Sequence, residues 1–87
     1  MKKYNFKTKE YEDYKVPKEW KIKVPRIDLN GIDLNEELNC TNCGRKLKYG
    51  GSYTSLKIHD KNGIGFPVCY KCYEKEWKER NLYEEQV

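Results

Sequence analysis

The spacing of apolar residues predicts strands in the middle of the chain and a helix at its end. Trp20, Ile22 and Val24 alternate with lysines, and this period of two predicts a short strand. From residue 69 onward the apolar residues recur at helical spacing, and neither proline nor glycine interrupts residues 69–87. We therefore expect a C-terminal helix.

Between these two elements, residues 53–58 and 64–68 predict a β-hairpin. A loop of three residues, with Gly63 in the left-handed conformation at its end, places the apolar side chains of both strands on one face. A loop of two residues does not. The facing pairs are then Ile58 with Phe66 and Leu56 with Val68.

The other stretches show no sustained period. The apolar positions of residues 1–19 fit neither a strand nor a helix, and we expect a basic, aromatic arm that is largely irregular or mobile. Residues 20–87 then form a single domain. Within it, the Asn-Gly pair at residues 30–31 predicts a small hairpin, and Asn35 is a suitable cap for one helical turn at residues 36–39.

The chemistry of the chain is concentrated in four cysteines, which form two C-x-x-C pairs. They are Cys40, Cys43, Cys69 and Cys72. Two intervening residues allow one tight turn to present both sulfurs of a pair to one ion, and two pairs complete the tetrahedron that zinc prefers. Gly44 allows the chain to turn back after the first pair. The sequence therefore predicts one structural zinc ion, with residues 40–84 as the core of the zinc-binding domain.

Other uses of these cysteines fit the sequence less well. Two disulfides need an oxidising compartment, whereas the charged start of the chain lacks the apolar stretch of a signal peptide, so we expect a cytoplasmic protein. A thioredoxin-like site needs a single pair in a βαβ unit. An iron–sulfur cluster stays open as an alternative because thiolates also bind iron. His59, the only histidine, is not needed as a ligand, and we expect it to be a strand or turn residue.

Composition limits both the size of the core and the range of partners. Of the 87 residues, 37% are hydrophobic and 37% are charged, so we expect one small domain that a metal stabilises. The net charge is only +4, and residues 27–39 carry four acidic residues and no basic one. A general polyanion-binding protein is usually more basic. No apolar stretch is long enough to span a membrane.

The predicted order of a cysteine knuckle, a β-hairpin and a helix with the last two ligands resembles the treble-clef zinc finger. The matching stretches are Cys40-Thr41-Asn42-Cys43-Gly44 for the knuckle and Cys69-Tyr70-Lys71-Cys72 for the helix start. The chain is also similar to the anti-sigma factor Gin in its two C-x-x-C pairs, in the aliphatic Val68 before the second pair and in the charged helix after it. The spacer between the pairs is longer here, and the 39 residues before Cys40 have no counterpart there. The resemblances imply a small α+β zinc-stabilised fold and a bacterial or phage regulator that docks on transcription machinery.

Three function classes follow from these features. An enzyme is not expected, because four cysteines leave no open zinc position for a small-molecule substrate. A protein-docking module agrees with the mixed charge and with the many tyrosines, which are frequent in binding hot spots. The alternative is nucleic-acid binding, with cations on phosphates and tyrosines stacked on bases. The candidate contact residues for either kind of partner are Arg45, Lys46, Lys48, Tyr49, Tyr53 and Lys57.

Overall fold

A computed structural model describes residues 1–23, 31 and 33–84, and over these residues the chain is an α+β protein. The elements in chain order are β1 (Lys2–Asn5), β2 (Glu10–Asp13), β3 (Glu37–Asn39), β4 (Lys46–Lys48), a 3-10 turn (Tyr49–Gly51), β5 (Tyr53–His59), β6 (Gly65–Val68) and α1 (Tyr70–Glu84). The predicted α+β class and the predicted C-terminal helix are confirmed. None of the described residues belongs to a helix with the length and apolar character that a bilayer-spanning segment needs.

The strands form two antiparallel sheets. The larger sheet has the strand order β2-β1-β5-β6, and β3 pairs with β4 in the smaller one. The turn between β3 and β4, residues 40–45, contains the first cysteine pair, and β6 ends one residue before Cys69. Both the backbone N–H and the hydroxyl of Thr41 donate hydrogen bonds to the carbonyl of Pro67 in β6. These bonds bring the two cysteine pairs together at the end of β6.

The β1–β2 hairpin replaces the irregular arm that the sequence predicts. β1 extends the larger sheet by pairing with β5, where Lys3 lies opposite Ile58. Tyr4 and Tyr11 lie directly opposite each other with ring centroids 5.0 Å apart, a cross-strand aromatic pair that stabilises the hairpin. The prediction of irregular structure was therefore wrong for residues 2–13, because strands of four residues are too short to show a period.

Two further predicted elements differ from the structure. Residues 20–23 belong to no strand, although the Lys21 carbonyl accepts a hydrogen bond of 2.8 Å from the N–H of Asn39 in β3. The segment predicted as a helical turn is instead strand β3, because its backbone pairs with β4 on the other side of the cysteine turn. The prediction of a strand was therefore wrong for residues 20–23, and the prediction of a helical turn was wrong for residues 37–39. The predicted hairpin around residues 30–31 lies largely outside the described residues.

The β5–β6 hairpin has the predicted three-residue loop. The N–H of Asp60 donates to the carbonyl of Ile64 at 3.0 Å, and Gly63 has the left-handed φ of 82°. One carboxylate oxygen of Asp60 also accepts the backbone N–H groups of Asn62 and Ile64, at 2.8 and 2.9 Å. The loop is thus closed by a side chain as well as by the backbone, as Asp residues often do in turns.

A bulge in β5 changes the register beyond this loop. Tyr53, and not Leu56, lies opposite Val68. Ile58 and Phe66 are buried in the same cluster as predicted, whereas Leu56 is only half-buried and is no part of that cluster. The predicted pairing of Leu56 with Val68 was therefore wrong.

A buried carboxylate on the helix explains the bulge. Glu76 of α1 accepts a hydrogen bond of 2.6 Å from the Ser55 hydroxyl and one of 2.9 Å from the N–H of Leu56. The Ser55 oxygen in turn accepts the N–H groups of Lys57 and Ile58, at 3.1 and 2.9 Å. Side chains thus bond three backbone N–H groups in the bulge, where the ladder between β5 and β6 is interrupted.

The buried core is assembled around the cysteines. Its members are Cys40, Ile58, Phe66, Val68, Cys69 and Cys72. The half-buried side chains that pack against it are Tyr14, Ile22, Leu47 and Tyr73. Three of its six members are candidate metal ligands, so a core this small depends on what those sulfurs bind.

Candidate metal centre

The first cysteine pair lies in a tight turn that points backbone N–H groups at sulfur. The N–H of Cys40 donates to the carbonyl of Arg45 at 2.8 Å, and the N–H of Gly44 donates back to the carbonyl of Cys40 at 2.9 Å. The N–H of Cys43 points at the Cys40 sulfur at 3.5 Å. Gly44 has a φ of 81°, which agrees with the predicted reversal of the chain after Cys43. A Cβ at this position would lie 2.4 Å from a ring carbon of Trp20, so close packing requires glycine as well.

The second pair lies at the start of α1. Cys69 directly precedes the helix, and its carbonyl accepts the N–H of Tyr73 at 3.0 Å. Cys72 belongs to the first turn. The N–H of Cys69 donates to the Cys40 sulfur at 3.2 Å, which links the two pairs directly. A helix start suits thiolates because its free N–H groups and positive dipole end stabilise negative charge.

The four sulfurs have the spacing of a tetrahedral metal site. All four Sγ atoms lie within 4.8 Å of one another, and the Sγ atoms of Cys43 and Cys69 are 3.7 Å apart. A tetrahedron of zinc–sulfur bonds of about 2.3 Å has edges of about 3.8 Å. The predicted set of four cysteines is therefore brought together with dimensions that fit a zinc ion. Cys43 is exposed and the other three are buried, so the site lies at the surface of the core.

Burial and the crowding of the four thiols oppose the ionisation of Cys40 and Cys72 when no metal is bound. Burial raises the pKa of the Cys40 and Cys72 thiols above the ordinary value. Burial acts in the same direction on Cys69, but the backbone N–H of Cys72 and the neighbouring thiols outweigh it and lower the pKa to about 7. Several thiolates this close together repel one another, and a divalent metal removes that repulsion. The donor set suits zinc, and iron is the other metal that four thiolates commonly bind.

The first cysteine turn is covered by the β1–β2 hairpin and by Tyr14, the residue that follows it. The sequence does not predict this cover. The hydroxyl of Tyr14 donates to the carbonyl of Thr41 at 2.8 Å. Lys3 donates to the side-chain carbonyl of Asn42 at 3.2 Å, and its ammonium lies 4.9 Å from the centroid of the Tyr14 ring. The pKa of Tyr14 is raised by burial and by the nearby cysteines. No local motif signals the two hydrogen bonds, because they join residues 27 and 39 positions apart in the chain.

The predicted partner-contact residues do not share one environment. Arg45, Lys46 and Lys48 are exposed on or beside β4. Tyr49 is half-buried, whereas Tyr53 is exposed. Their role in binding stays a prediction.

Lys57 differs from the other candidate contact residues. Its ammonium lies 2.9 Å from both carboxylate oxygens of Glu79 and 5.6 Å from the centroid of the Phe6 ring. Its side chain is 13% exposed. The structure therefore gives Lys57 an ion-pair partner within the protein.

Comparison with known proteins identifies no relative: no family model, no curated protein and no solved structure matches the chain. The protein is consequently classified by its own geometry. It is a small α+β protein with a cluster of four cysteines that is compatible with a zinc-binding site.

Proposed function

We propose that the chain is a non-enzymatic, zinc-stabilised module for protein–protein interaction. The observation that carries the proposal is the closed cysteine cluster, in which all four Sγ atoms lie within 4.8 Å of one another. Four thiolates fill a tetrahedral shell and leave no position for a substrate or an activated water. The zinc then contributes its binding free energy to folding.

The proposed fold type is a treble clef made of the β3–β4 turn, the β5–β6 hairpin and α1. The order of ligands supports it: two come from a tight turn, one from the residue before a helix and one from the first turn of that helix. The larger sheet gains β1 and β2 as an addition to this unit.

Exposed aromatic side chains support a protein partner. The rings of Tyr70, Tyr53, Tyr73 and Trp77 form a continuous row over α1 and the start of β5, with centroid distances of 5.5, 5.0 and 6.2 Å between neighbours. Three of these four residues are exposed. Surface tyrosine and tryptophan are enriched in binding hot spots. Because of the resemblance to Gin, components of bacterial or phage transcription machinery are the first partners to test.

Nucleic-acid binding is the second candidate, because Arg45, Lys46 and Lys48 are all exposed. The salt dependence of binding distinguishes nucleic-acid binding from protein docking. For a phosphate-binding protein, log affinity for mixed-sequence oligonucleotides falls with log salt by about 0.9 per phosphate contact on duplex DNA or about 0.7 on single strands. We expect weak binding with a shallow slope. Tight binding with a steep slope, lost when these three residues are changed to glutamate, would favour nucleic acid instead.

Metal analysis tests the zinc site itself. Elemental analysis of purified protein is expected to find one zinc per chain, and Cys43→Ser is expected to lose the metal and the cooperative unfolding transition. Lys71→Ser is the matched control, because this exposed residue lies between the other two cysteines. Iron in place of zinc, or a folded Cys43→Ser variant without metal, would contradict the proposal.

A further inference from the structure

The four candidate metal ligands differ in their access to solvent. Cys43 is exposed, whereas the other three cysteines are buried. The hydrogen bonds that hold Lys3 and Tyr14 over the cysteine turn end on residues 41 and 42, directly before Cys43. A reagent in solution therefore reaches the Cys43 sulfur before it reaches the others.

We propose that Cys43 is a site of reversible oxidation by hydroperoxides and that Cys69 is the partner with which it forms a disulfide, so that oxidation releases the metal. The inference rests on the zinc site of the proposed function and adds a modification site to it. It makes the folded, zinc-loaded state of the chain dependent on the oxidants around it.

The Cys69 sulfur lies within reach of the exposed one. The two Sγ atoms are 3.7 Å apart, and a disulfide bond is about 2.05 Å long, so the atoms must approach by roughly 1.7 Å. The Cys40 sulfur is held more firmly in place. It accepts backbone N–H groups from Cys43 and Cys69, at 3.5 and 3.2 Å, and a disulfide in the first pair would pull it away from both donors.

The reaction balances with a hydroperoxide as the oxidant. The Cys43 thiolate attacks the outer peroxide oxygen, the O–O bond breaks, and a sulfenic acid forms as an alkoxide, or hydroxide from hydrogen peroxide, leaves. The Cys69 thiolate then attacks the Cys43 sulfur, an S–S bond replaces the S–O bond, and a hydroxide leaves. The two anions that leave take up two protons from water. The two sulfurs lose two electrons in all, and the peroxide gains them.

The product retains too few ligands for the metal. Two thiolates, those of Cys40 and Cys72, remain of the four that complete a tetrahedral zinc shell, so we expect the ion to be released. Three of the four cysteines belong to the buried core, and its packing therefore changes with the loss of the metal.

The position of the disulfide favours reversal. A bond between Cys43 and Cys69 joins the cysteine turn to the residue before α1, which are the two parts of the chain that the metal also joins. The four sulfurs therefore stay close together in the oxidised chain. Reduction by a thiol then restores the complete set of ligands for zinc.

Alkylation of the full, zinc-loaded chain tests which sulfur is accessible. A limiting amount of N-ethylmaleimide is added, the reaction is stopped early with acid, and tandem mass spectrometry locates the label. We expect Cys43 to carry about tenfold more label than any other cysteine, because reactivity follows exposure. Equal labelling of the four cysteines would contradict the proposed site.

Hydrogen peroxide tests the proposed disulfide. Zinc release is followed with a chromogenic chelator, and peptide mapping without reductant identifies the products. We expect one zinc released per disulfide, Cys43–Cys69 as the main product, and recovery of the zinc-loaded chain after dithiothreitol and zinc are added. A main product that joins any other two cysteines, or a sulfonic acid that no thiol reverses, would overturn the inference.

Cys43→His separates oxidation from metal binding. Histidine serves as a zinc ligand beside three cysteines in many structural sites, but it forms no disulfide. We expect this variant to bind one zinc and to release it to hydrogen peroxide about tenfold more slowly than the wild type, because the exposed thiolate is gone. Cys72→His is the matched control. It keeps both reacting sulfurs, and we expect a release rate close to that of the wild type.

Zinc content and circular dichroism identify a variant that fails to fold, and the peptide mapping of the wild-type chain then decides. A chain that binds no zinc fails the proposed function itself. A Cys43→His variant that loses zinc to peroxide as fast as the wild type removes the oxidation site but leaves the zinc-stabilised module in place.

Discussion

Replacing Glu76 with alanine is expected to destabilise the zinc-loaded protein by about 2–4 kcal/mol, since it removes two buried hydrogen-bond acceptors. Glu76 is 3% exposed, although it follows two other charged residues in the helix sequence and would be expected in solvent. Its oxygens accept the Ser55 hydroxyl and the N–H of Leu56. Without the carboxylate, the Ser55 hydroxyl and the Leu56 N–H both lose their hydrogen-bond acceptor on the side of β5 that faces α1.

The magnitude follows from the cost of unpaired buried groups. A buried donor that loses its acceptor costs about 1–3 kcal/mol. Two donors are affected here, but the hydrogen bond of the Leu56 N–H is only partly buried, so the expected loss lies in the lower part of the summed range of about 2–6 kcal/mol. Glu76→Gln keeps one carbonyl oxygen in nearly the same shape, so we expect a smaller loss of about 1 kcal/mol. The order of stability is therefore wild type, then Glu76→Gln, then Glu76→Ala.

Urea unfolding at fixed free zinc, followed by far-ultraviolet circular dichroism, measures these differences. Glu74→Ala is the matched control on the same helix. Its carboxylate makes an exposed ion pair with Lys78 at 3.1 Å, and losing an exposed pair of this kind costs less than about 0.5 kcal/mol. A Glu76→Ala variant as stable as Glu74→Ala would refute the reasoning, because the bulge would then hold without its carboxylate.

Three further predictions concern pH, backbone conformation and the cover of the metal site. Burial raises the pKa of Glu76, so the stability that its protonation adds is full below the unfolded-state value of 4.5 and is lost as the pH rises through the folded-state pKa. The unfolding free energy of wild type minus that of Glu76→Gln should therefore fall with rising pH in a series of denaturation experiments. Gly44→Ala should lower the thermal stability more than Gly63→Ala. Both glycines have left-handed φ angles, which cost an alanine about 1–2 kcal/mol each, but only at Gly44 does a Cβ collide with the Trp20 ring. Equal losses of stability in the two variants would contradict this reasoning. Tyr14→Phe should lower the free energy of unfolding by about 1 kcal/mol, because it removes the hydrogen bond from the Tyr14 hydroxyl to the Thr41 carbonyl. It should also speed zinc transfer to a chromogenic chelator. An unchanged transfer rate would argue that Tyr14 does not cover the metal site.

The sequence predicts the local parts of this molecule well. The cysteine turn, the three-residue loop ending at Gly63 and the C-terminal helix each depend on residues within one short stretch. Glycine at positive φ and helical spacing are properties of such stretches, and the structure has them where they are expected. The four cysteines also meet as predicted, because each pair is presented by its own local element.

The parts that were missed depend on distant partners. β1 and β2 have four residues each, and β1 gains a place in the sheet only by pairing with β5, more than fifty residues later. β3 is a strand because β4 lies beside it once the cysteine turn is closed. Such short segments have no periodicity to detect, so tertiary pairing decides their conformation.

The failed register prediction shows how one buried carboxylate moves an apolar side chain out of the core. Regular pairing would place Leu56 opposite Val68 in the core, which is what the alternation of apolar residues suggests. Glu76 instead accepts a hydrogen bond from the N–H of Leu56, the strand bulges, and the Leu56 side chain lines a surface cavity of about 220 Å³. The buried carboxylate thus transfers one apolar side chain from the core to a surface cavity.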